Sequence, residues 1–181
     1  MEIRLVTNKD VKGILDIYTP YVKDTTITFE YDVPTMEEFS KRVEDISNTM
    51  PYFVAVEDTT IIGYCYATKH RTRAAYQWAV ELSIYVDQTM ARKQVGTKLY
   101  VILLDTLKKL GYHQAYACIT LPNSSSVNFH KKFDFKEIGI FHQCGYKGNT
   151  WLDTLWMECR LQEYNGQVQC PKSIQELINS K

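Results

Sequence analysis

The sequence predicts an α/β fold: a mixed, mostly antiparallel central sheet flanked by helices on both faces. The order of the patterns, β-α-α-β-β-β-α-β-α-β-β, interleaves strands with amphipathic helices and shows no internal repeat. A strand, a short basic loop and a long helix over residues 80–111 form its centre. At 181 residues, 45% of them hydrophobic, the chain fits one packed domain. We expect residues 1–161 to form it, and the polar tail, residues 162–181, to add a short helix to the same domain.

The N-terminal half predicts a strand, two helices and a hairpin. Capping patterns at Thr7 and Thr35, each with an acidic residue three positions on, begin the two helices. Pro20 is expected to end the first, because proline has no amide hydrogen to continue it. The strands alternate apolar and polar residues. They cover residues 3–6, 52–57 and 61–68, the last two joined by a short turn.

The C-terminal half begins with the central strand, in which Val80, Leu82 and Ile84 alternate with polar residues. A long helix follows from Val95, and Gly111 is placed to end it in the left-handed conformation. Asn123 is a natural N-cap for the next helix. The remaining strands are predicted at residues 113–119, 135–142 and 149–161.

The loop from Ala91 to Gly96 is a candidate phosphate site. The first amides of a helix lack internal partners and its dipole is positive there, so an anion is stabilised. Arg92, Lys93 and Lys98 add positive charge at this end. The alternative is an ordinary strand–helix connection whose basic residues face water.

Two other loops are candidates for binding. The segment after the first helix is longer than a turn requires. Its pocket-wall candidates are Thr26, Phe29, Glu30 and Tyr31. Arg71 and Arg73, ahead of the central strand, offer paired donors to a carboxylate or phosphinate. The alternatives are aromatic side chains that only close the edge of the core, and a basic loop that only faces solvent.

Charge and cysteine content exclude several classes of function. Basic and acidic residues number 21 each, so no overall field favours nucleic acid or a membrane as partner. With no long apolar run and no signal-peptide pattern, we expect a soluble, cytoplasmic protein. The five cysteines lack metal-ligand spacing and are expected to be reduced thiols, with no metal site.

Six fragments in order carry a resemblance to a known family. They are TTITFEY at 25–31, GYCYA at 63–67, RTRAAY at 71–76, VELSIYV at 80–86, NSSSVNFHKKFDF at 123–135 and GYKGNTWLDTLWM at 145–157. Together they resemble the GNAT N-acetyltransferases, and within them the phosphinothricin and methionine sulfoximine acetyltransferase branch. The resemblance implies the GNAT fold, acetyl-CoA as cosubstrate, and a small amino-acid-like amine as acceptor. It also implies a homodimer.

The resemblance also implies which residues bind the cofactor. The central strand would pair with the pantetheine arm, the following loop and helix start would hold the pyrophosphate, and the next helix would add a contact. These residues are Ile84, Tyr85, Val86, Ala91, Arg92, Lys93, Gln94, Val95, Gly96, Thr97, Asn123 and Ser126.

For catalysis, Glu81 occupies the family's base position and His130 the position of the acid that protonates the leaving thiolate. The alternatives are a salt-bridged strand residue and a histidine that only packs on its helix. The acceptor is expected against Phe29, Glu30, Arg71, Arg73, Tyr76 and Trp151. A cationic pocket favours an acidic, amino-acid-like substrate over polyamines or aminoglycosides.

Four positions depart from the family pattern. Ala91 and Gln94 replace a basic residue and a glycine of the pyrophosphate loop, Leu82 replaces a histidine, and Asp134 replaces a glycine. A side chain at 94 is expected to crowd the close approach of the backbone that glycine permits. A second hypothesis is therefore a catalytically weak GNAT-fold protein that binds or senses acyl-CoA.

Overall fold

A computed structural model describes residues 1–90, 94–164 and 168–179. Within these ranges five α-helices and a seven-stranded sheet are formed. The helices are α1 (Val11–Asp24), α2 (Met36–Ser47), α3 (Val95–Leu110), α4 (Ser124–Lys131) and α5 (Ile174–Asn179). The strands are β1 (Glu2–Leu5), β2 (Tyr52–Glu57), β3 (Thr60–Lys69), β4 (Ala79–Val86), β5 (Gln114–Thr120), β6 (Lys136–Lys147) and β7 (Thr150–Arg160).

The sheet has the order β1-β2-β3-β4-β5-β7-β6, and every neighbouring pair is antiparallel except β4 and β5. That parallel pair is short, because only residues 79–81 of β4 pair with residues 114–116 of β5. Beyond Glu81 the two strands part, while β4 stays paired with β3 as far as Val86. Among the described residues, one edge of β4 therefore lacks a neighbouring strand beyond Glu81, in the middle of the sheet.

Helices cover both faces of the sheet, as predicted. On one face α3 buries Leu99, Leu103 and Leu107 completely, against apolar side chains of the central strands. On the other face α1 and α2 pack on Tyr52 and Tyr64. Because alternate residues of β4 point to opposite faces, Val80 and Leu82 belong to the α3 face and Glu81 to the α1 face.

The predicted helix ends are largely confirmed. Thr35 caps α2, with its hydroxyl accepting from the amide of Glu38. Asn123 caps α4 by accepting from the amide of Ser126 at 3.0 Å. Gly111 ends α3 in the left-handed conformation, with φ at 93°. The local signals at Gly111 and Asn123 therefore suffice to place one end of α3 and one end of α4, the two helices beside the parted strands.

Pro20 does not end the first helix, which was a wrong prediction. The helix α1 continues to Asp24 with Pro20 inside it. Proline removes only one intrahelical bond, to the carbonyl of Asp16, a residue that is itself exposed to water. Burial of Tyr18 and Val22 against the core stabilises the last turn and outweighs that loss.

The C-terminal hairpin is longer than predicted. The strand β6 extends to Lys147 rather than to about residue 142. An irregularity between Phe141 and Gly145 interrupts its register with β7, and pairing resumes after it. After β7, the tail returns to the α3 side of the sheet. Ile174 of α5 is 3% exposed there, and its amide donates to the carbonyl of Thr49 at 3.0 Å. The described part of the chain has no helix that meets the length and apolarity needed to span a bilayer.

Candidate active site

The parted strands β4 and β5 open a small cleft at the centre of the sheet. Residues 82–85 line one side and residues 117–120 the other, and the cleft has a volume of about 80 Å³. Ile27 lies at it from the long loop, while Asn123, Ser126 and His130 lie at it from α4. The cleft therefore brings together the open edge of β4 and the start of a helix.

The start of α3 lies beside this opening. A Cβ placed at Gly96 would be 3.5 Å from the ring of Phe129 and 3.6 Å from Ile84 and Val86. The first amides of α3, those of Val95, Gly96 and Thr97, are free of intrahelical partners by position. The remaining predicted loop residues, Ala91, Arg92 and Lys93, lie outside the described residues.

Tyr85 has a structural role that the sequence did not indicate. Its side chain points away from α3, and its ring packs edge-on against Tyr18 and Tyr21, each 5.1 Å between centroids. Burial raises the pKa of the Tyr85 hydroxyl well above its ordinary value. Tyr85 and Ile84 both line the cleft, and the ring of Tyr85 is held on the α1 face by these contacts.

Gln94 takes a conformation that favours glycine. It precedes α3 with φ at 57° and ψ at 20°, in the left-handed region. Residues with a side chain occupy this region at a cost of roughly 1–2 kcal/mol. The family's glycine at this position is therefore explained by the backbone, and this chain forms the same turn under strain.

His130 is buried, with 4% of its surface exposed, inside a ring of aromatic side chains from α3, α4 and the start of β6. Its Nδ1 lies 2.8 Å from the backbone oxygen of Ser126. Since a carbonyl oxygen only accepts, Nδ1 carries the hydrogen and Nε2 carries a lone pair. Burial lowers the pKa of the ring, although the bond to Ser126 partly opposes this. His130 is therefore neutral at pH 7, with no proton to give at Nε2.

Glu81 lies at the last paired position before the strands part. Its Oε1 is 2.7 Å from Nδ1 of His70, and its side chain is 33% exposed. His70 follows β3, where Thr68 pairs with Glu81, so the histidine is a diagonal neighbour on the same face of the sheet. The predicted base is therefore paired with a histidine that sequence reasoning missed.

A larger cavity of about 450 Å³ opens beside His70 on this face. Aromatic and aliphatic side chains form most of its wall, and Arg71 and Glu158 add charged groups. It is lined by His70, Arg71, Tyr116, Ile138, Gly139, Ile140, Phe141, Trp156 and Glu158. The His70 ring lies 4.5 Å from that of Tyr116 and 5.9 Å from that of Trp156. The buried indole N–H of Trp156 has no acceptor among the described residues.

Of the predicted acceptor residues, Arg71 lies at this cavity and Tyr76 contacts its wall at His70. Arg71 lines it, and the Arg71 guanidinium stacks 5.7 Å from the ring of Tyr76, which in turn meets His70 edge-on. Arg73 is exposed and precedes the short 3₁₀ turn Ala74–Tyr76. The structure thus brings Arg71 and Tyr76 together with Glu81 through His70.

The other predicted acceptor residues lie apart from the cavity. Glu30 forms an ion pair with Arg42 of α2, at 2.7 Å. The ring of Phe29 packs so closely on Gly145 that no Cβ fits there. Trp151 is 60% exposed and lies on the α3 face of β7, opposite to Glu81. Within one chain, Trp151 is therefore not brought together with the predicted base.

Lys147 holds the long loop in place. It is 8% exposed, and its Nζ donates to the carbonyl oxygens of Val22 and Thr28, each at 2.8 Å. Burial lowers the pKa of the ammonium, although the charge of Glu30 partly opposes this. A cation from the C-terminal hairpin thus binds one carbonyl group in the last turn of α1 and one in the loop, which holds Ile27 beside the cleft.

The amino-acid sequence also matches a known protein family. The Acetyltransferase (GNAT) domain matches residues 3–156. The chain belongs to the GNAT acetyltransferase family. It is 32% identical over 162 residues to a phosphinothricin N-acetyltransferase of Streptomyces coelicolor, covering 87% of this chain and 95% of that protein. It is 26% identical to the L-methionine sulfoximine/L-methionine sulfone acetyltransferase of Salmonella typhimurium, covering 94% and 100%.

A solved GNAT structure also superimposes closely. This is a phosphinothricin acetyltransferase from Sinorhizobium meliloti in complex with AcCoA, with a TM-score of 0.89 and 31% sequence identity over 93% of this chain and 92% of that one. The predicted GNAT fold is therefore confirmed. In the part of this acetyltransferase that the structure describes, no three His, Cys, Asp or Glu side chains are grouped as metal ligands.

Proposed function

We propose that this protein transfers an acetyl group from acetyl-CoA to the primary amine of a small amino-acid-like acceptor, of the phosphinothricin or methionine sulfoximine type. The observation that carries the proposal is the position of Glu81, where β4 and β5 part. A thioester held along the open edge of β4 would end beside this carboxylate. The activities of the related acetyltransferases support the same acceptor class.

The open edge of β4 is suited to the pantetheine arm of the cofactor. From Leu82 to Tyr85, backbone groups on this edge face the cleft instead of a strand. An amide-containing arm can pair with such an edge as an added strand does. The start of α3 then offers the amides of Val95, Gly96 and Thr97 to the pyrophosphate, and Asn123 and Ser126 contribute from α4. The predicted roles of Ala91, Arg92 and Lys93 remain part of this proposal.

The cavity beside His70 is suited to the acceptor. Arg71 and Arg73 would bind its carboxylate, which leaves the amine toward Glu81. The apolar wall, which includes Tyr116, Phe141 and Trp156, would take the acceptor's side chain. Phe29, Glu30 and Tyr76 stay in the proposal as outer contacts, and Trp151 stays in it as a contact from a second copy of the chain.

The chemistry requires three things of the protein. Glu81 drives removal of a proton from the ammonium group, so that the nitrogen lone pair can attack the thioester. A backbone amide of β4 stabilises the oxygen that becomes negative. The leaving thiolate takes up a proton, and the acid role proposed for His130 applies only to its protonated form, which burial disfavours.

The alternative function, binding or sensing of acyl-CoA without turnover, has one supporting observation. Gln94 holds a strained conformation at the position where the family has glycine. The pairing of Glu81 with His70 favours the enzyme, because a sensor has no need of a base at the end of the cleft.

The two functions are separated by one assay series. Titration calorimetry with acetyl-CoA tests binding, and release of free thiol is then followed with a panel of amino acids, phosphinothricin and methionine sulfoximine. We expect acetyl-CoA to bind and at least one α-amino acid or analogue to be acetylated. Binding without thiol release for any acceptor would establish the sensor instead.

We also propose a homodimer that acts in the cytoplasm. The edge strand β6 and its hairpin expose apolar side chains that a second copy would cover. They are Tyr146 and Trp151, together with Ile138, Ile140 and Phe141, which also line the cavity beside His70. The free thiols support a reducing compartment. Light scattering is expected to give twice the chain mass, and Trp151→Glu to lower it toward that of the monomer; a monomeric parent protein would rule out the dimer.

A further inference from the structure

The contacts of His70 with Glu81 and Arg71 show which nitrogen of its ring carries the hydrogen. Two hydrogen bonds define the state of the imidazole. The carboxylate of Glu81 only accepts, so Nδ1 of His70 donates to it at 2.7 Å. The Nε–H of Arg71 only donates, and it lies 3.3 Å from Nε2 of His70, so Nε2 accepts. Both contacts give a neutral ring with its lone pair on Nε2.

This arrangement is that of a base held by an orienting carboxylate. His70 lines the acceptor cavity, and its side chain is 12% exposed. The rings of Tyr76, Tyr116 and Trp156 surround it and restrict its rotation. Imidazole is the side chain whose protonation ordinarily changes between pH 5 and 8, so it suits proton removal at neutral pH better than a carboxylate does.

We propose that His70, oriented by Glu81, is the group that takes the proton from the acceptor amine. This inference rests on the acetyltransferase function proposed above and assigns one step within it. Glu81 is then a positioning residue, which fixes the tautomer and stabilises the imidazolium once it forms. The proposal adds a catalytic residue that the family resemblance did not imply.

Arg71 links this step to acceptor binding. Its bond to Nε2 is long, at 3.3 Å, and therefore weak. An acceptor carboxylate forms a stronger, charge-assisted contact with the same guanidinium. When Arg71 turns to the carboxylate, the lone pair of Nε2 becomes free at the moment when an ammonium group arrives.

The step balances without any further reactant. One proton passes from the ammonium group to Nε2 of His70, and the nitrogen lone pair forms the C–N bond. As the tetrahedral intermediate collapses, the C–S bond breaks, and the thiolate takes up the second proton that the nitrogen loses. The imidazolium of His70 returns its proton to solvent before the next turnover.

Charged and titratable groups face His70 from its own loop and from three strands. They are Glu81 on β4, Arg71 and Tyr76 on its own loop, Tyr116 on β5 and Glu158 on β7. Glu81 contacts Nδ1 and Arg71 contacts Nε2, so a carboxylate and a guanidinium hold the two ring nitrogens.

The main test is His70→Asn, since the Asn side chain still donates to Glu81 but cannot take up a proton. We expect kcat/KM at pH 7 to fall by roughly 10²–10⁴-fold, with the Kd for acetyl-CoA unchanged. The loss should shrink as the pH rises toward the ionisation of the acceptor amine, because the free amine then needs no base. A purely structural histidine would give a loss that does not depend on pH.

The matched control is His142→Asn. His142 also has its Nδ1 beside a carboxylate, at 3.0 Å from Asp153, but its side chain is 74% exposed. We expect activity within about twofold of the parent protein. If His70→Asn also stays within that range at every pH, while the parent protein acetylates its acceptor, the inference is overturned and the proposed function stands. If the parent protein acetylates nothing, the proposed function itself fails.

The variant Glu81→Gln tests the division of roles. A Gln side chain still accepts from Nδ1 but lacks the charge that stabilises the imidazolium. We expect the acid limb of kcat/KM to remain and to move to lower pH, with a lower plateau. Loss of that limb would mean that Glu81 itself takes the proton and would overturn the inference. The double variant should be little worse than His70→Asn alone, whereas additive losses would contradict a joint role.

Should the Asn variant not fold, His70→Gln and the pH profile of Glu81→Gln provide the same test. In the Gln variant we expect the same loss at pH 7 and the same recovery at high pH. Full activity in His70→Gln would overturn the assignment.

Discussion

His70 and His130 lie on opposite faces of the sheet, on either side of the parted strands. Comparing them shows how the surroundings of a histidine decide whether it can take up a proton. Both use Nδ1 to donate, His70 to the carboxylate of Glu81 and His130 to the carbonyl of Ser126. His70 lies beside a carboxylate and at the wall of a cavity, whereas burial among aromatic side chains lowers the pKa of His130. The first environment suits proton uptake, and the second keeps a histidine neutral.

The largest expected effect is at the acceptor end. Glu81→Gln should lower kcat by roughly 10²–10⁴-fold, because the amine loses the charge that drives its deprotonation. Its affinity for acetyl-CoA should stay almost unchanged, since the cofactor is expected to lie along the β4 edge and against α3. Steady-state kinetics and calorimetry provide the two measurements. Equal activity in the variant would remove Glu81 from the mechanism.

A smaller effect is expected at the cofactor end. His130→Gln should lower kcat by about tenfold or less, because the neutral ring has no proton to give at Nε2. Single-turnover rates with saturating acetyl-CoA measure this directly. A loss of 10²-fold or more would restore the role of principal acid to His130, and the contrast between the two histidines would then be one of acid and base.

The third prediction concerns the cofactor loop. Gln94→Gly should raise the free energy of unfolding by about 1 kcal/mol, since glycine adopts a φ of 57° without strain. Removal of the side chain should also tighten acetyl-CoA binding by up to about fivefold, with kcat unchanged. Urea unfolding and calorimetry check the two parts. An unchanged Kd would show that the backbone at 94 already clears the phosphates.

The smallest expected effect is on the pH dependence of stability. The folded-state pKa of His130 lies below its ordinary value of 6.5, so its contribution is complete above that pH and is lost as the pH falls through the folded value. His130→Gln should remove this part of the acid destabilisation. Urea titrations between pH 8 and 5 measure it, with His142→Asn as the exposed control. An unchanged pH slope would place the acid sensitivity elsewhere.

Local patterns were enough to predict most of the fold. The capping residues Thr35 and Asn123 and the C-cap Gly111 define helix ends without reference to the rest of the chain. Pro20 was misread because the burial of Tyr18 and Val22, which depends on tertiary packing, decides where that helix ends. The extension of β6 was missed for a similar reason, since its register resumes only against β7.

The site was harder to predict, because its residues come from strands that are distant in sequence. Glu81 and Arg71 were found from the family pattern, but Tyr116 and Trp156 reach the cavity only through the pairing of β4, β5 and β7. His70 carried a usable signal. Pairing of β3 with β4 places His70 two residues beyond Thr68, the partner of Glu81, and therefore on the same face of the sheet.

The contact of Lys147 with the long loop has a consequence for synthesis of the chain. Its two acceptors, the carbonyls of Val22 and Thr28, precede it by 125 and 119 positions. Chains emerge from the ribosome N-terminus first. The carbonyl groups of Val22 and Thr28 are therefore synthesised long before Lys147, which donates to them in the folded protein. Nascent chains that stop short of residue 147 are therefore expected to leave this loop open to proteases, and completed ones to protect it.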